Sequence, residues 1–192
     1  FINDFFNLDY LNCSFKEVNL VVMRHVLEHC PFPSRILKEI SMLGVDGMKV
    51  YIEVPNVINI LDNGRFYDLF YEHIHYFNPK LLVKFLSQFG FKTLQTNYLA
   101  DGQHFGILCQ KSNLPISNNF CPNQLNSYSY TKIENLKKNM NYFKRSFNFI
   151  LNKYEEIAIY GAGSHSLGIA SILDLNKKRI AYFLDLDKYK SG

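Results

Sequence analysis

Two short apolar runs near the start of the chain dominate its hydrophobic pattern. Residues 18–23 and 48–54 are rich in β-branched side chains, which is typical of parallel strands covered on both faces. Between them, apolar positions recur at helical spacing from Ser34 to Leu43, and Gly44 is suited to end a helix. This order predicts adjacent parallel strands in an α/β sheet, with the helix packed on one face.

The pattern that follows predicts a second helix and a hairpin. Asn78 and Pro79 are favourable residues for a helix start, and the apolar face of that helix continues to Phe89. Residues 92–99 and 104–110 alternate like strands around a glycine-containing turn. We therefore expect a mostly parallel sheet that is closed by an antiparallel pair.

The remaining sequence changes character. Residues 112–154 begin as a Ser-, Asn- and Pro-rich stretch and continue as a lysine-rich helical pattern, so they predict a linker and a connecting helix. Residues 155–192 contain a strand, a glycine turn, a helix and a strand ending at Asp185, the start of a second Rossmann-like βαβ unit. Residues 1–111 form the first predicted domain. The chain begins without Met and stops soon after a strand, so we expect a fragment.

Composition narrows the function classes. The 192 residues are 47% hydrophobic and 20% charged, which is ordinary for a globular protein, and the net charge is only +4 with scattered lysines. Nucleic acid is therefore not an indicated partner. Cys13, Cys30, Cys109 and Cys121 form no C-x-x-C pair, and no apolar run is long enough to cross a bilayer. We expect a soluble, cytoplasmic protein with reduced thiols.

The most chemically distinctive segment is residues 67–77. It combines Glu72, His73 and His75 with five aromatic residues. Aromatic rings exclude water, and an imidazole beside a carboxylate can have its tautomer and its pKa adjusted for proton transfer. The segment therefore favours proton abstraction. The alternative is an aromatic loop that closes one end of the sheet.

Two further motifs have competing interpretations. His25 to His29 matches H-x-x-E-H, the inverted zinc-protease motif, but a strand pattern precedes it and Pro31 follows it, so the required helix is not predicted and we assign no metal. The turn at Gly161 departs from G-x-G-x-x-G. It fits either a nucleotide site, with Asp185 at the ribose, or a turn that needs glycine for its backbone. Similarly, His165 is either an anion ligand or a helix cap.

Together these motifs resemble a known family. Residues 18–29 and 47–56 look like the fourth and fifth strands of class I S-adenosylmethionine-dependent methyltransferases. Residues 71–77 (YEHIHYF) resemble the E-H-x-x-Y-F signature of sugar C-methyltransferases, which act on nucleotide-linked keto sugars. Phe70 stands where those enzymes have tyrosine. The resemblance implies a partial class I methyltransferase sheet whose first strands, glycine loop and N-terminal zinc domain are missing.

The resemblance also implies roles for particular residues. His73 would be the base that removes a proton beside a ketone, with Glu72 orienting it, and the resulting enolate would take the methyl group of S-adenosylmethionine. The implied cofactor contacts are Asp4, Phe5, Met23, Arg24 and His25. The implied contacts to the small-molecule acceptor are Asn56, Tyr71, His75 and Tyr76. An O- or N-methyltransferase of the same fold and a non-catalytic fragment remain alternatives.

Overall fold

The computed structural model describes residues 18–43, 45–69, 71–112, 128–175 and 180–190. They divide into two compact units, one with the described residues of 1–59 and 72–124 and the other with those of 60–71 and 125–192. Asp4, Phe5, Gly44, Phe70, Cys13 and Cys121 lie outside the described residues.

The first unit is built on a four-stranded sheet in the order β1-β2-β4-β3. β1 (Leu20–Arg24) and β2 (Lys49–Pro55) are parallel, whereas β4 (His104–Lys111) runs antiparallel to both β2 and β3 (Phe91–Leu99). Both the parallel pair and the hairpin were predicted from the sequence. Because β4 lies between β2 and β3, the hairpin adds two strands to the side of β2 opposite β1.

The core of this unit is formed by the sheet and two helices, α1 (Pro33–Leu43) and α3 (Pro79–Ser87). Leu37 and Ile40 of α1 and Leu82 and Leu86 of α3 belong to one buried cluster with alternating residues of the sheet. Burying one such aliphatic side chain contributes about 1.5 to 3 kcal/mol. A short helix that the sequence did not predict, α2 (Val57–Asp62), follows β2, and the division between the units falls within it.

The expectation that both parallel strands are covered on both faces is correct for most of β2 and wrong for β1. Leu20 and Val22 remain 56% and 55% exposed, whereas Val21 and Met23, on the opposite face, reach the core. The reason is that, among the described residues, only the face of β1 that carries Val21 and Met23 packs against the core cluster.

The second unit contains a long helix and a parallel pair of strands. Its elements are α4 (Tyr128–Leu151), β5 (Ile157–Tyr160), α5 (Ser164–Ile172) and β6 (Ile180–Leu184). β5 and β6 are parallel with α5 between them in sequence, which confirms the predicted βαβ unit. The rings of Phe66 and Phe143 lie 5.2 Å apart and help to attach residues 60–71 to α4.

Candidate active site at the carboxyl ends of the parallel strands

β1 and β2 end side by side, at Arg24 and Pro55, and polar residues follow both ends. The chain leaves β1 through His25, whose φ of 51° turns the backbone sharply, and then forms a 3-10 turn at Leu27–His29. The N–H group of His25 donates to the carbonyl of Glu53, which keeps this turn against the end of β2. Open α/β sheets bind ligands at this edge.

Glu53 is the centre of a charged network at this edge. Its buried carboxylate accepts hydrogen bonds from Arg24 Nε at 3.1 Å, Arg24 Nη2 at 3.0 Å and Tyr51 Oη at 3.0 Å. The hydrogen bonds from Arg24 lower the pKa of Glu53, and burial opposes them only in part. Glu53 is therefore ionised at neutral pH.

Tyr51 depends on a glycine across the sheet. A Cβ atom added to Gly106 would lie 2.3 Å from the Tyr51 hydroxyl oxygen, closer than non-bonded atoms can approach. Because Gly106 has no Cβ atom, the Tyr51 ring has the space that it needs to reach Glu53. Neither Tyr51 nor Glu53 was assigned to the site from the sequence, although a glutamate within an otherwise apolar strand is a detectable indication.

His25 connects this network to a second carboxylate. Its Nε2 atom lies 3.3 Å from Glu53 Oε1, and its Nδ1 atom lies 3.2 Å from Glu28 Oε1. Glu28 is fully buried, and its other oxygen, Oε2, has no hydrogen-bond partner among the described residues. An unsatisfied oxygen on a fully buried carboxylate is costly, so this oxygen makes Glu28 a candidate ligand-binding residue.

The backbone brings residues 72–77 to the same place. The N–H groups of Ile74 and His75 donate to the carbonyl of Glu28 at 2.9 and 3.1 Å, and His29 Nδ1 donates to the carbonyl of Glu72 at 2.8 Å. These bonds place the ring of His73 4.9 Å from the ring of His29. His73 is half-buried, and this burial lowers its pKa, while the charge of Glu28 opposes the shift.

The predicted acceptor contacts His75 and Tyr76 and the predicted orienting residue Glu72 occupy different environments. His75 and Tyr76 are half-buried, and their rings lie 6.0 Å from those of Phe77 and His73, respectively. The side chain of Glu72 is exposed, and its backbone carbonyl, not its carboxylate, contacts His29.

Two of the predicted contact residues, Asn56 and Met23, have structural roles. The Asn56 side chain donates to the carbonyl of Gly102 and accepts from the N–H group of Ile58, so it caps α2 and holds the hairpin turn. The side chain of Met23 is buried in the core, so only the backbone of this residue is available to contact a ligand. Tyr71 belongs to the second unit and is 93% exposed. Their roles in binding stay predictions.

The glycine turn of the second unit satisfies its polar groups internally. Gly161 has a φ of 96°, which favours glycine, and the next N–H group, of Ala162, donates to Asp185 Oδ2 at 2.8 Å. Asp185 Oδ1 accepts the N–H group of Asp187, and His165 Nε2 lies 2.9 Å from Asp68 Oδ1. These contacts favour the structural interpretation of the turn over a nucleotide site.

Comparison with known proteins agrees with the enzyme class expected from the sequence. Residues 4–96, just under half of the chain, match a family model described as a methyltransferase domain. The matched range includes Glu28, Glu53 and His73. No curated protein matches the chain.

Several solved structures of methyltransferases are similar in part. A SAM-dependent methyltransferase from Methanosarcina mazei is 19% identical, with a TM-score of 0.39 over 52% of this chain and 63% of that one. The N-methyltransferase NodS from Bradyrhizobium japonicum, solved also with S-adenosyl-L-homocysteine, is 12% identical, with a TM-score of 0.36 over 53% and 56%. An O-methyltransferase family protein from Burkholderia thailandensis is 11% identical, with a TM-score of 0.43 over 58% and 35%.

The chain spans less than two thirds of the length of each of these structures. Among the described residues, no helix has both the length and the apolar character that crossing a membrane requires.

Proposed function

We propose that this chain is part of an S-adenosylmethionine-dependent methyltransferase that methylates a carbon atom beside a ketone, in a nucleotide-linked keto sugar or a related small molecule. The observation that carries the proposal is the position of His73. The E-H-x-x-Y-F segment is attached by backbone hydrogen bonds to the turn after β1, so that its histidine lies beside the carboxyl ends of two parallel strands.

The chemistry needs a base and a positioned methyl donor. A ring nitrogen of His73 takes the α-proton of the acceptor, and the enolate carbon then forms a bond to the methyl group as the bond from methyl to sulfur breaks, leaving S-adenosylhomocysteine. A positioned base accelerates such a reaction by about 10² to 10⁴. Holding the donor in line with the acceptor removes a further part of the barrier.

The environment of His73 fits the role of a base. Burial lowers the pKa of its imidazole, so the neutral form, which can accept a proton, predominates at neutral pH. The neighbouring ring of Tyr76 forms part of the wall around the acceptor, and His75 lies on the same segment. We propose both as acceptor contacts, together with Asn56 and Tyr71.

The cofactor is proposed to lie across the ends of β1 and β2. Met23, Arg24 and His25 would face its methionine portion, and Asp4 and Phe5 would face its adenine. Arg24 is 63% exposed at its side chain although it pairs with Glu53, so its guanidinium remains accessible to a ligand carboxylate.

Solvent exchange tests the mechanism. The protein, with any residues that precede Phe1 in its gene, would be incubated with the keto acceptor and S-adenosylhomocysteine in deuterated water. We expect the α-hydrogen of the acceptor to exchange, because His73 forms the enolate without a methyl donor being present. With S-adenosylmethionine, the product should carry its new methyl group on carbon. A methyl group on oxygen or nitrogen, or no exchange, would contradict carbon methylation.

A further inference from the structure

Three side chains at the end of β1 have the composition of a metal site. A carboxylate oxygen of Glu28 and one ring nitrogen each of His29 and His73 all lie within 4.8 Å of one another. Methyl transfer as proposed above gives no task to Glu28 or His29. We propose that Glu28, His29 and His73 bind one divalent transition-metal cation of the zinc type.

The first support is the buried carboxylate. Glu28 has no exposed surface, and only its Oε1 atom has a hydrogen-bond partner among the described residues, namely His25. Native structures rarely leave a buried carboxylate oxygen unsatisfied, because the loss of its hydration is not recovered. A cation bound at Oε2 recovers it and also compensates the negative charge.

The second support is the orientation of His29. Its Nδ1 atom lies 2.8 Å from the carbonyl oxygen of Glu72, and a carbonyl only accepts hydrogen bonds, so Nδ1 carries the proton. In the neutral imidazole, the other nitrogen, Nε2, then carries the lone pair that can bind a metal. Metal-binding histidines are typically held in this way, with the second ring nitrogen donating to a backbone carbonyl or a carboxylate.

The donor set selects the kind of metal. Two imidazoles and one carboxylate are the ligands of many zinc and iron(II) centres, in which a further position stays open for water or substrate. Magnesium and calcium prefer oxygen ligands, so they are poor candidates. Ligands about 2.1 Å from an ion lie at most about 4.2 Å apart, so small side-chain rotations are enough to close the site.

The ligand set differs from that of the H-x-x-E-H motif. In that motif the ligands would be His25 and His29, on successive turns of a helix. Here His25 precedes a 3-10 turn, and its two ring nitrogens face Glu28 and Glu53. The second imidazole of the proposed site comes instead from His73, on a distant segment that the backbone attaches to the turn.

The inference goes beyond the proposed methyl transfer and does not depend on it. A ring nitrogen that binds a metal cannot accept a proton, so the metal-bound state and the base role of His73 exclude each other. Metal binding is measurable without cofactor or acceptor, and a failure of either proposal is therefore distinguishable from a failure of the other.

Calorimetric titration with zinc chloride tests the site. We would use the chain with Cys13→Ser and Cys121→Ser, since thiolates also bind zinc. We expect one ion per chain. Zinc binding should become weaker by about tenfold or more in each of three variants, Glu28→Gln, His29→Asn and His73→Asn. Removing an outer-shell partner of a metal site already costs about this much affinity, and removing a ligand should cost at least as much. Cobalt(II) should give visible absorption bands that zinc abolishes and magnesium does not.

His75→Asn and His165→Asn are the matched controls, because they remove imidazoles from the same segment and from the second unit. Both should bind zinc like the parent. Circular dichroism identifies any variant that fails to fold. If Glu28→Gln fails to fold, the test rests on His29→Asn and His73→Asn. Loss of binding in His25→Asn together with unchanged binding in His73→Asn would overturn the proposal in favour of the H-x-x-E-H set. The absence of a stoichiometric site would overturn it outright.

Discussion

Two turns of this molecule occupy the same topological position but differ in how completely their polar side chains are hydrogen-bonded. One follows β1 in the first unit, and the other follows β5 in the second, and each strand has a parallel neighbour. The first turn buries Glu28 completely and leaves one of its oxygens without a partner among the described residues. In the second, the N–H group of Ala162 donates to Asp185, which follows β6, and the largely exposed His165 pairs with Asp68.

The difference shows that position in a fold does not by itself make a functional site. At the second turn, the N–H group of Ala162 and both carboxylate oxygens of Asp185 already have hydrogen-bond partners within the chain. At the first, the carboxylate of Glu28 is fully buried beside a half-buried imidazole, and one of its oxygens has no partner among the described residues. Chemistry is therefore expected at the first turn, and substitutions there should have larger effects than matched ones at the second.

The largest expected difference concerns catalysis. Replacing His73 by Asn removes the basic nitrogen while keeping a similar volume, so turnover should fall by about 10² or more, the scale of a lost general base. Affinity for S-adenosylmethionine should be retained, which calorimetry would establish alongside the measurement of kcat.

His165→Asn is the matched change at the second turn. It should leave kcat close to that of the parent, because His165 is largely exposed and has no part in the proposed proton transfer. Equal losses in the two variants would remove the distinction between the turns, and normal turnover by His73→Asn would refute its role as a base.

A smaller difference is expected in stability. Gly106→Ala places a methyl group where the Tyr51 hydroxyl lies, so the ring has to move and its hydrogen bond to Glu53 is lost. Overpacking of this kind costs about 1 to 3 kcal/mol. A Cβ atom at Gly163, beside the second turn, meets nothing within 4 Å, and Gly163→Ala should therefore change stability little.

Urea denaturation of both glycine variants measures this difference. The companion variant Tyr51→Phe separates the two contributions to the Gly106→Ala effect, because it removes the hydrogen bond without crowding the ring. If Gly106→Ala is as stable as the parent, the close approach of Tyr51 to β4 is not present in solution.

The smallest effect is a pH dependence at Glu53. Because Arg24 lowers its pKa in the folded chain, the unfolded chain takes up the proton first, at about pH 4.3, the ordinary value for glutamate. The stabilisation that the Glu53 carboxylate provides is therefore complete above that pH, and it is lost as the pH falls through the pKa of Glu53 in the folded chain. Glu53→Gln should cost about 1 to 2 kcal/mol near pH 7 and much less near pH 3.

We attribute this pH dependence of stability to the ion pair of Glu53 with Arg24, and a double-mutant cycle tests that attribution. In an Arg24→Gln background, the cost of Glu53→Gln should vary less with pH between 3 and 7. An unchanged pH profile in that background would assign the effect to Tyr51 or His25 instead.

The elements were predictable because their determinants are local. Apolar spacing in α1, the Asn78 cap of α3 and the alternation in the hairpin all lie within the segments they specify. The exposed face of β1 was not predictable, since it depends on which elements pack against that strand. α2 was missed although its Asn56 cap is as local as the cap of α3, because six residues are too few to show a helical period.

The site was only partly predictable, for the same reason. The segment around His73 could be recognised from its motif, and Arg24 and His25 from their position after a strand. The meeting of Glu28 with His73 depends on hydrogen bonds between backbone groups distant in sequence, which leave no pattern in either segment. The pairing of Glu53 with Tyr51 and Arg24 likewise requires the strand register.

Glu28 contributes to the site through two separate parts of the residue. Its side chain enters the cluster of imidazoles, whereas its backbone carbonyl accepts the N–H groups of Ile74 and His75. Every amino acid has that carbonyl, so the attachment of the His73 segment is indifferent to the side chain at position 28. The ligand at this position can therefore be exchanged, in evolution or by experiment, without removing the backbone hydrogen bonds that attach the His73 segment.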